Sequence, residues 1–340
     1  MQPSATVQRV PPPEKVLRHL GKCLRVGARM PKLVYPYTKR NLAFILRKCF
    51  EEEGCAALVF PSILSIAYRM MVDDTFDFIT MKHFVRAATP DLLVSCGLFF
   101  NIAASPMEIN RELAEIARGR WLLSRLGFEP VLACFAHEEE REVEDLYTLH
   151  VRGLGGGYYG KLWKEEEKAV NAVAVRHNWR EEVCYALWNE LCEENLAVSA
   201  GIPLSRSGLS IPDKVQLTRE ERLKTSFPSN EASSWEIEVA CCSPEGELQA
   251  YFTCTGLADL ERALEAARIA KELEVAHYIW IVASEELEGN MRYIERRARI
   301  AGLALYRAQG LPPAVEFKAV KPPEKLPVEA IPQFSVEIVD

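Results

Sequence analysis

The chain has 340 residues, 49% of them hydrophobic and 26% charged, which excludes collagen-like, disordered and coiled-coil classes and suffices for two packed domains. Its longest uncharged apolar stretch, Leu92 to Ala104, has 13 residues, against the roughly 20 that a membrane-spanning helix needs. The net charge of −7 is uneven: residues 1–50 hold 11 Lys/Arg against one acid, Glu14, so the remainder sums to −17.

A basic arm on an acidic body reads either as a contact for an anionic polymer or as a solvated leader. The 10 cysteines form no C-x-x-C pair, which argues against a zinc ribbon or a thioredoxin-type motif. No charged-then-apolar signal opens the chain, so the expectation is reduced thiols in a cytoplasmic protein.

In chain order, residues 1–14 read as a disordered leader and 15–89 as a basic helical region. VLRHLGKCLRVGA and KRNLAFILRKCFEEEG carry apolar residues at helical spacing, and Phe60 to Met71 reads as a further helix. Thr89-Pro90 breaks the pattern, because a residue before proline avoids helical angles. Asp91 to Ala104, SPMEINRELA and Ile116 to Leu126 then read as three helices. Ser105 and Pro106 open the second, and Gly127 ends the third. FEPVLACFA and LYTLHVRG read as strands on either side of the charged tip HEEEREVED. Three helices and a hairpin are the order of a winged helix-turn-helix, here residues 90–153, although a small α+β unit without a nucleic-acid role shares that order. The candidate DNA contacts are Arg111, Arg118, Arg120 and Arg125, joined by Lys39 and Arg40 from the basic region.

Residues 154–180 read as a linker and a helix. Gly155, Gly157 and Gly160 fit G-x-G-x-x-G, but no second strand of a βαβ unit follows, so a joint between domains explains them better. NWREEVCYALWNELCEE reads as a helix. SGLSIPDKVQL, SWEIEVACCS and ELQAYFTCTG follow as three strands, the last two joined by a turn at Pro244 to Glu247. DLERALEAARIAKELE, HYIWIVAS, ELEGNMRYIERRARIAG and LALYRA continue as helix, strand, helix and strand. Residues 311–340 form a proline-rich tail, wrapped on the surface or loose. No internal repeat is visible, and the fold class is α+β.

Glu236 and Glu238, two apart on one strand, share a face. If the strand bearing Pro212-Asp213 pairs beside them, Asp213 joins that face. Three such carboxylates suit a hard cation, Mg²⁺ or Mn²⁺, able to activate water against a phosphodiester; they equally suit a solvent-facing sheet edge. A PD strand, then E-x-E, within this order of elements resembles the PD-(D/E)XK nuclease-like fold over residues 181–310. With the upstream winged helix, the chain is similar to the replication-relaxation proteins of bacterial plasmids and conjugative elements. The resemblance rests on YTLHVRG, RHNWREEVCYALW, SIPDKVQL and SWEIEVACC.

That resemblance implies Asp213 and Glu236 as the paired acids, with Glu182 as an extra acid on the preceding helix. Active members carry a lysine two residues after the second acid, where this chain has Glu238. An anion beside a phosphate adds repulsion, so cleavage would need Lys214 or Lys224 to reach in. The implied function is DNA binding in a mobile element, in replication, mobilisation or transcriptional control, with a non-cleaving nuclease-like domain. The implied partners are double-stranded DNA and other mobile-element proteins, with no membrane partner. An active Mg²⁺-dependent endonuclease and a protein-interaction module without nucleic-acid binding are the alternatives.

Overall fold

The computed structural model describes residues 7–9, 38–52, 54–61, 88–104, 108–124, 127–135, 146–154, 157–161, 169–171, 178–194, 196–204, 235–272, 274–310, 314–321 and 325–326. They fall into two compact units, the first built mainly from Lys39–Asn178 and the second from Trp179–Val339. The short strands β1 (Val7–Arg9) and β8 (Ala169–Asn171) pair antiparallel in the first unit.

Its main elements are α1 (Lys39–Glu52), β2 (Ala57–Val59), β3 (Leu92–Val94), β4 (Leu98–Ala103), α2 (Ile109–Leu123), β5 (Glu129–Phe135), β6 (Tyr147–Leu154) and β7 (Gly157–Lys161). The strands form one sheet in the order β2-β3-β4-β5-β6-β7. β2, β3 and β4 pair antiparallel, β4, β5 and β6 pair parallel, and β7 returns antiparallel. Every residue of β4 is buried, as expected of a parallel-paired strand inside a sheet. Helix α1 buries Leu42, Phe44, Ile45, Leu46 and Phe50 completely or nearly so.

The second unit contains α3 (Trp179–Glu193), β9 (Ala197–Pro203), β10 (Glu236–Cys242), β11 (Leu248–Cys254), α4 (Leu257–Glu272), β12 (Tyr278–Ser284), a 3₁₀ turn (Glu285–Asn290), α5 (Met291–Ile300), β13 (Ala304–Gln309) and β14 (Glu316–Lys321). Its sheet runs β9-β10-β11-β12-β13-β14. The pairings are antiparallel, antiparallel, parallel, parallel, antiparallel. That is the topology of the first sheet, strand for strand. An internal repeat exists, but it lies in hydrogen-bond pattern and register rather than in shared residues. Helix α4 packs Leu260, Ala263, Leu264 and Ala267 into one core with Phe252, Ile281 and Leu305 of the sheet.

Several expectations are corrected. Asp91 to Ala104 is not a helix but the hairpin of β3 and β4, turned at Gly97, whose φ of 92° suits glycine. A fully buried strand reads as an unbroken apolar run, which periodicity cannot tell from a buried helix. SPMEINRELA and Ile116 to Leu126 contribute to one helix, α2. The strands β5 and β6 pair parallel rather than as a hairpin. Residues 90–153 therefore do not form a winged helix. The glycine-rich linker is instead the hairpin of β6 and β7, with Leu154 opposite Gly157. Ala169–Asn171, read as helix, is strand, as is Val7–Arg9 in the expected leader and Glu316–Lys321 in the expected tail. The helix expected over VLRHLGKCLRVGA, most of that from Phe60 to Met71, the tip HEEEREVED and the strand SIPDKVQL lie outside the described residues.

Among the described residues no helix is long and apolar enough to cross a membrane. The nine described cysteines form no disulfide. Burial pushes Cys134 up to about 11 and Cys241 and Cys254 up to about 12, so these thiols stay protonated at neutral pH.

Candidate functional site

Glu238 sits mid-strand in β10 with only 5% of its surface exposed. A buried carboxylate is costly unless it is paired and hydrogen-bonded, and Glu238 is both. The guanidinium of Arg180, at the start of α3, forms an ion pair with Oε1. Oε2 accepts the backbone N–H of Thr253 at 2.6 Å and also the Thr253 hydroxyl, and the Cys184 thiol lies 3.7 Å away. Glu236, two residues earlier, is half-buried. The two acids and Arg180 line a small cleft with Asp259 and Arg262 of α4.

Asp213 was expected to join them from an adjacent strand. Asp213, Lys214 and Lys224 lie outside the described residues. β10 pairs with β9 along one edge, from Glu236 opposite Pro203 to Cys242 opposite Ala197, and with β11 along the other. β9 takes one edge along Glu236 and Ile237, and β11 takes the other from Val239 onward; the strand read from SGLSIPDKVQL lies outside the described residues. Glu182 is buried on α3.

The first unit holds a counterpart. Asp91, just before β3, accepts the backbone N–H of Ile102 at 2.6 Å and pairs with Lys39 Nζ at 3.0 Å. Lys39 opens α1 as Arg180 opens α3. Leu92 lies opposite Phe100, which places Asp91 opposite Asn101; Val239 lies opposite Tyr251, which places Glu238 opposite Phe252. Each carboxylate thus accepts the N–H of the residue one past its cross-strand neighbour. The match continues into the next helix, where Glu108 accepts the N–H of Ala104 and Asp259 accepts the hydroxyl of Thr255, both four residues on. By that register Glu112 corresponds to Ala263.

Glu112 makes the first site the more highly charged. Its side chain is fully buried and accepts Lys39 Nζ at 2.9 Å, Arg111 Nη2 at 2.8 Å and Asn101 Nδ2 at 3.4 Å. Burial, reinforced by Glu112 and opposed by Lys39, raises Asp91 to about 6. Burial and the charge of Glu112 raise Glu115 to about 7. Burial alone would lower Lys39, but the carboxylates of Asp91 and Glu112 outweigh it and hold the ammonium well above its ordinary value.

In both sites the carboxylate is already paired with a cation from the first helix of the unit. Among the described residues no group of three His, Cys, Asp or Glu side chains could hold a metal ion. A cation at Glu238 would have to displace Arg180 and the Thr253 donors, so these residues do not fit one.

The expected DNA contacts are placed differently. Lys39 is engaged by Asp91 and Glu112, Arg40 is buried on α1, and Arg111 is held by Glu108 and Glu112. Arg118 and Arg120 are exposed on α2, two residues apart and so on different sides of it. Arg125 lies outside the described residues. Sequence reasoning missed Asp91, Glu112, Arg180 and Thr253. The available signal was Pro90-Asp91, a PD dipeptide set directly before an apolar run of strand length. No protein-family model matches the chain, no curated protein matches it, and no solved structure matches it.

Proposed function

We propose that this chain is a DNA-binding protein built from two nuclease-like units that do not cleave. Each unit runs helix, three antiparallel strands, helix and a parallel strand, the order expected of the PD-(D/E)XK core. The observation that carries the reading is the register shared by Asp91 and Glu238, each an acid in the first part of the unit's second strand or directly before it and each paired with a cation, Lys39 or Arg180. An acid so paired neither gathers a divalent cation nor orients water at a phosphodiester. The setting of a mobile element, in replication, mobilisation or transcriptional control, rests on the motifs of residues 181–310 alone, because the winged helix that shared in the resemblance is replaced by the first sheet.

The test is a duplex-binding titration at several salt concentrations beside incubation of supercoiled DNA with Mg²⁺ or Mn²⁺. Salt-dependent binding without nicking is expected. Nicking by the wild type that disappears in Asp213→Ala would establish the active endonuclease instead. No binding even at low salt would favour a protein-interaction module.

A further inference from the structure

Helix α5 carries a basic face that neither site uses. Met291, Ile294 and Ala298 are its buried side, packed in the second unit's core with Ile281 and Leu305. At 100° per residue, Arg292, Arg296 and Arg299 fall within about 60° of one another on the opposite side. All three are exposed, and none forms an ion pair among the described residues. Tyr293 and Ile300, 47% and 74% exposed, border them on one side, and the half-buried Glu295 borders them on the other. The fourth arginine, Arg297, is used differently: it pairs with Glu261 of α4 at 2.6 Å and lies over the Tyr293 ring at 5.9 Å, which braces α5 against its neighbour.

We propose that α5 docks Arg292, Arg296 and Arg299 on the phosphate backbone of duplex DNA. The proposal rests on the DNA-binding reading above and names the surface that performs it. Charge complementarity selects the partner, since three guanidiniums stand clustered and unpaired on a chain of net charge −7. Arg292 to Arg299 spans about 10 Å of helix, the axial rise across four successive phosphates of one strand at about 3.4 Å each. Guanidinium forks match phosphate oxygens, and a helix packed into its own core presents them at little ordering cost. A lipid surface is a poorer fit, because an interfacial helix must bury its apolar side in the membrane, and the apolar side here is already covered by the sheet.

The test compares wild type, the triple variant Arg292→Ala/Arg296→Ala/Arg299→Ala and the matching triple Arg→Lys variant in duplex titrations from 50 to 200 mM salt. Releasing three phosphate contacts should flatten the log–log salt slope by about 2.7, so that wild type loses about 40-fold more affinity across that range than the alanine variant. The lysine variant, with its charge retained, should keep most of the slope. If wild type binds duplex and the alanine variant binds with an unchanged slope, the α5 surface is refuted while DNA binding stands. If wild type shows no salt-dependent duplex binding, both readings fall together. If α5-dependent binding appears with polyglutamate and not with duplex, the face belongs to an acidic protein partner and the proposal is overturned.

Discussion

Asp91 and Glu238 occupy one position of a repeated fold: each carboxylate accepts the backbone N–H of the residue following its cross-strand neighbour, Ile102 for Asp91 and Thr253 for Glu238. Each is also met by the cation that opens the first helix of its unit, Lys39 or Arg180. The pairing of position and partner is what the two units share. Their surroundings differ, since Glu112 has Ala263 as its counterpart and the Thr253 hydroxyl corresponds to the ethyl and methyl groups of Ile102.

Removing the cation should expose the cost of the buried acid. Arg180→Ala leaves Glu238 without its countercharge and should destabilise the second unit by about 3 kcal/mol, measured by urea denaturation. Arg180→Met combined with Glu238→Leu removes both charges and should recover part of that loss, the remainder being the cost of the buried Thr253 N–H and hydroxyl left without their acceptor. A single alanine variant within about 0.5 kcal/mol of wild type, the span of an ordinary surface change, would mean that Glu238 is satisfied without Arg180.

The first unit should grow more stable as the medium is acidified from pH 8 to pH 5. Asp91 and Glu115 are raised from ordinary values of 3.8 and 4.5 to about 6 and about 7. A folded-state pKa above the unfolded one means that the folded form binds protons more tightly. The stability these groups supply is therefore complete below their ordinary values and is lost as pH rises through about 6 and about 7. Denaturant midpoints of the wild type should fall from pH 5 to pH 8, and Glu115→Gln should flatten that fall. Midpoints that rise over the range would contradict the repelling arrangement of the buried Asp91 and Glu112 with the half-buried Glu115.

Gly119 permits the close seating of α2 on its sheet. A Cβ placed there would stand 3.2 Å from Phe99 Cε2 and 3.3 Å from the carbonyl oxygen of Ala88. Phe99 is fully buried, and the Ala88 oxygen belongs to the backbone, so neither yields readily. Gly119→Ala should gain about 1 kcal/mol of helix propensity and lose more than that to overpacking, for a net destabilisation of about 1–2 kcal/mol. A variant that melts above wild type would show that the helix shifts outward freely.

Much of the second unit was legible in its sequence. SWEIEVACCS, ELQAYFTCTG and HYIWIVAS read as strands because short apolar runs stand between turn residues, and DLERALEAARIAKELE reads as a helix because its leucines and alanines recur at helical spacing. The first unit resisted for a definite reason. Leu92 to Ala104 is apolar on both faces of its strands, so no period betrays them, and the turn at Gly97 adds only one glycine to the run. The parallel pairing of β5 and β6 was equally hidden, because a charged connection reads alike whether it turns tightly or crosses over. The site was half visible. Glu238 stood out by its spacing, but its countercharge comes from Arg180, 58 residues earlier, and only tertiary packing joins them. Lys39 looked like a surface cation because its partner Glu112 lies 73 residues further on.

Two copies of one topology offer a growing chain two homes for each strand, and exchange between them is a characteristic failure of duplicated folds. The polar residues that distinguish the copies act as addresses. Were β4 to enter the second sheet in place of β11, Asn101 would take the position of Phe252 and face Ala263 instead of Glu112. Its amide, with no carboxylate to receive it, would carry a desolvation penalty of about 1–3 kcal/mol. Were β11 to enter the first sheet, Phe252 would fill the place of Asn101 and deprive Glu112 of a donor. The divergence of the two sites thus does more than separate their chemistry, for it sets a cost against exchange of strands between the two halves of the chain.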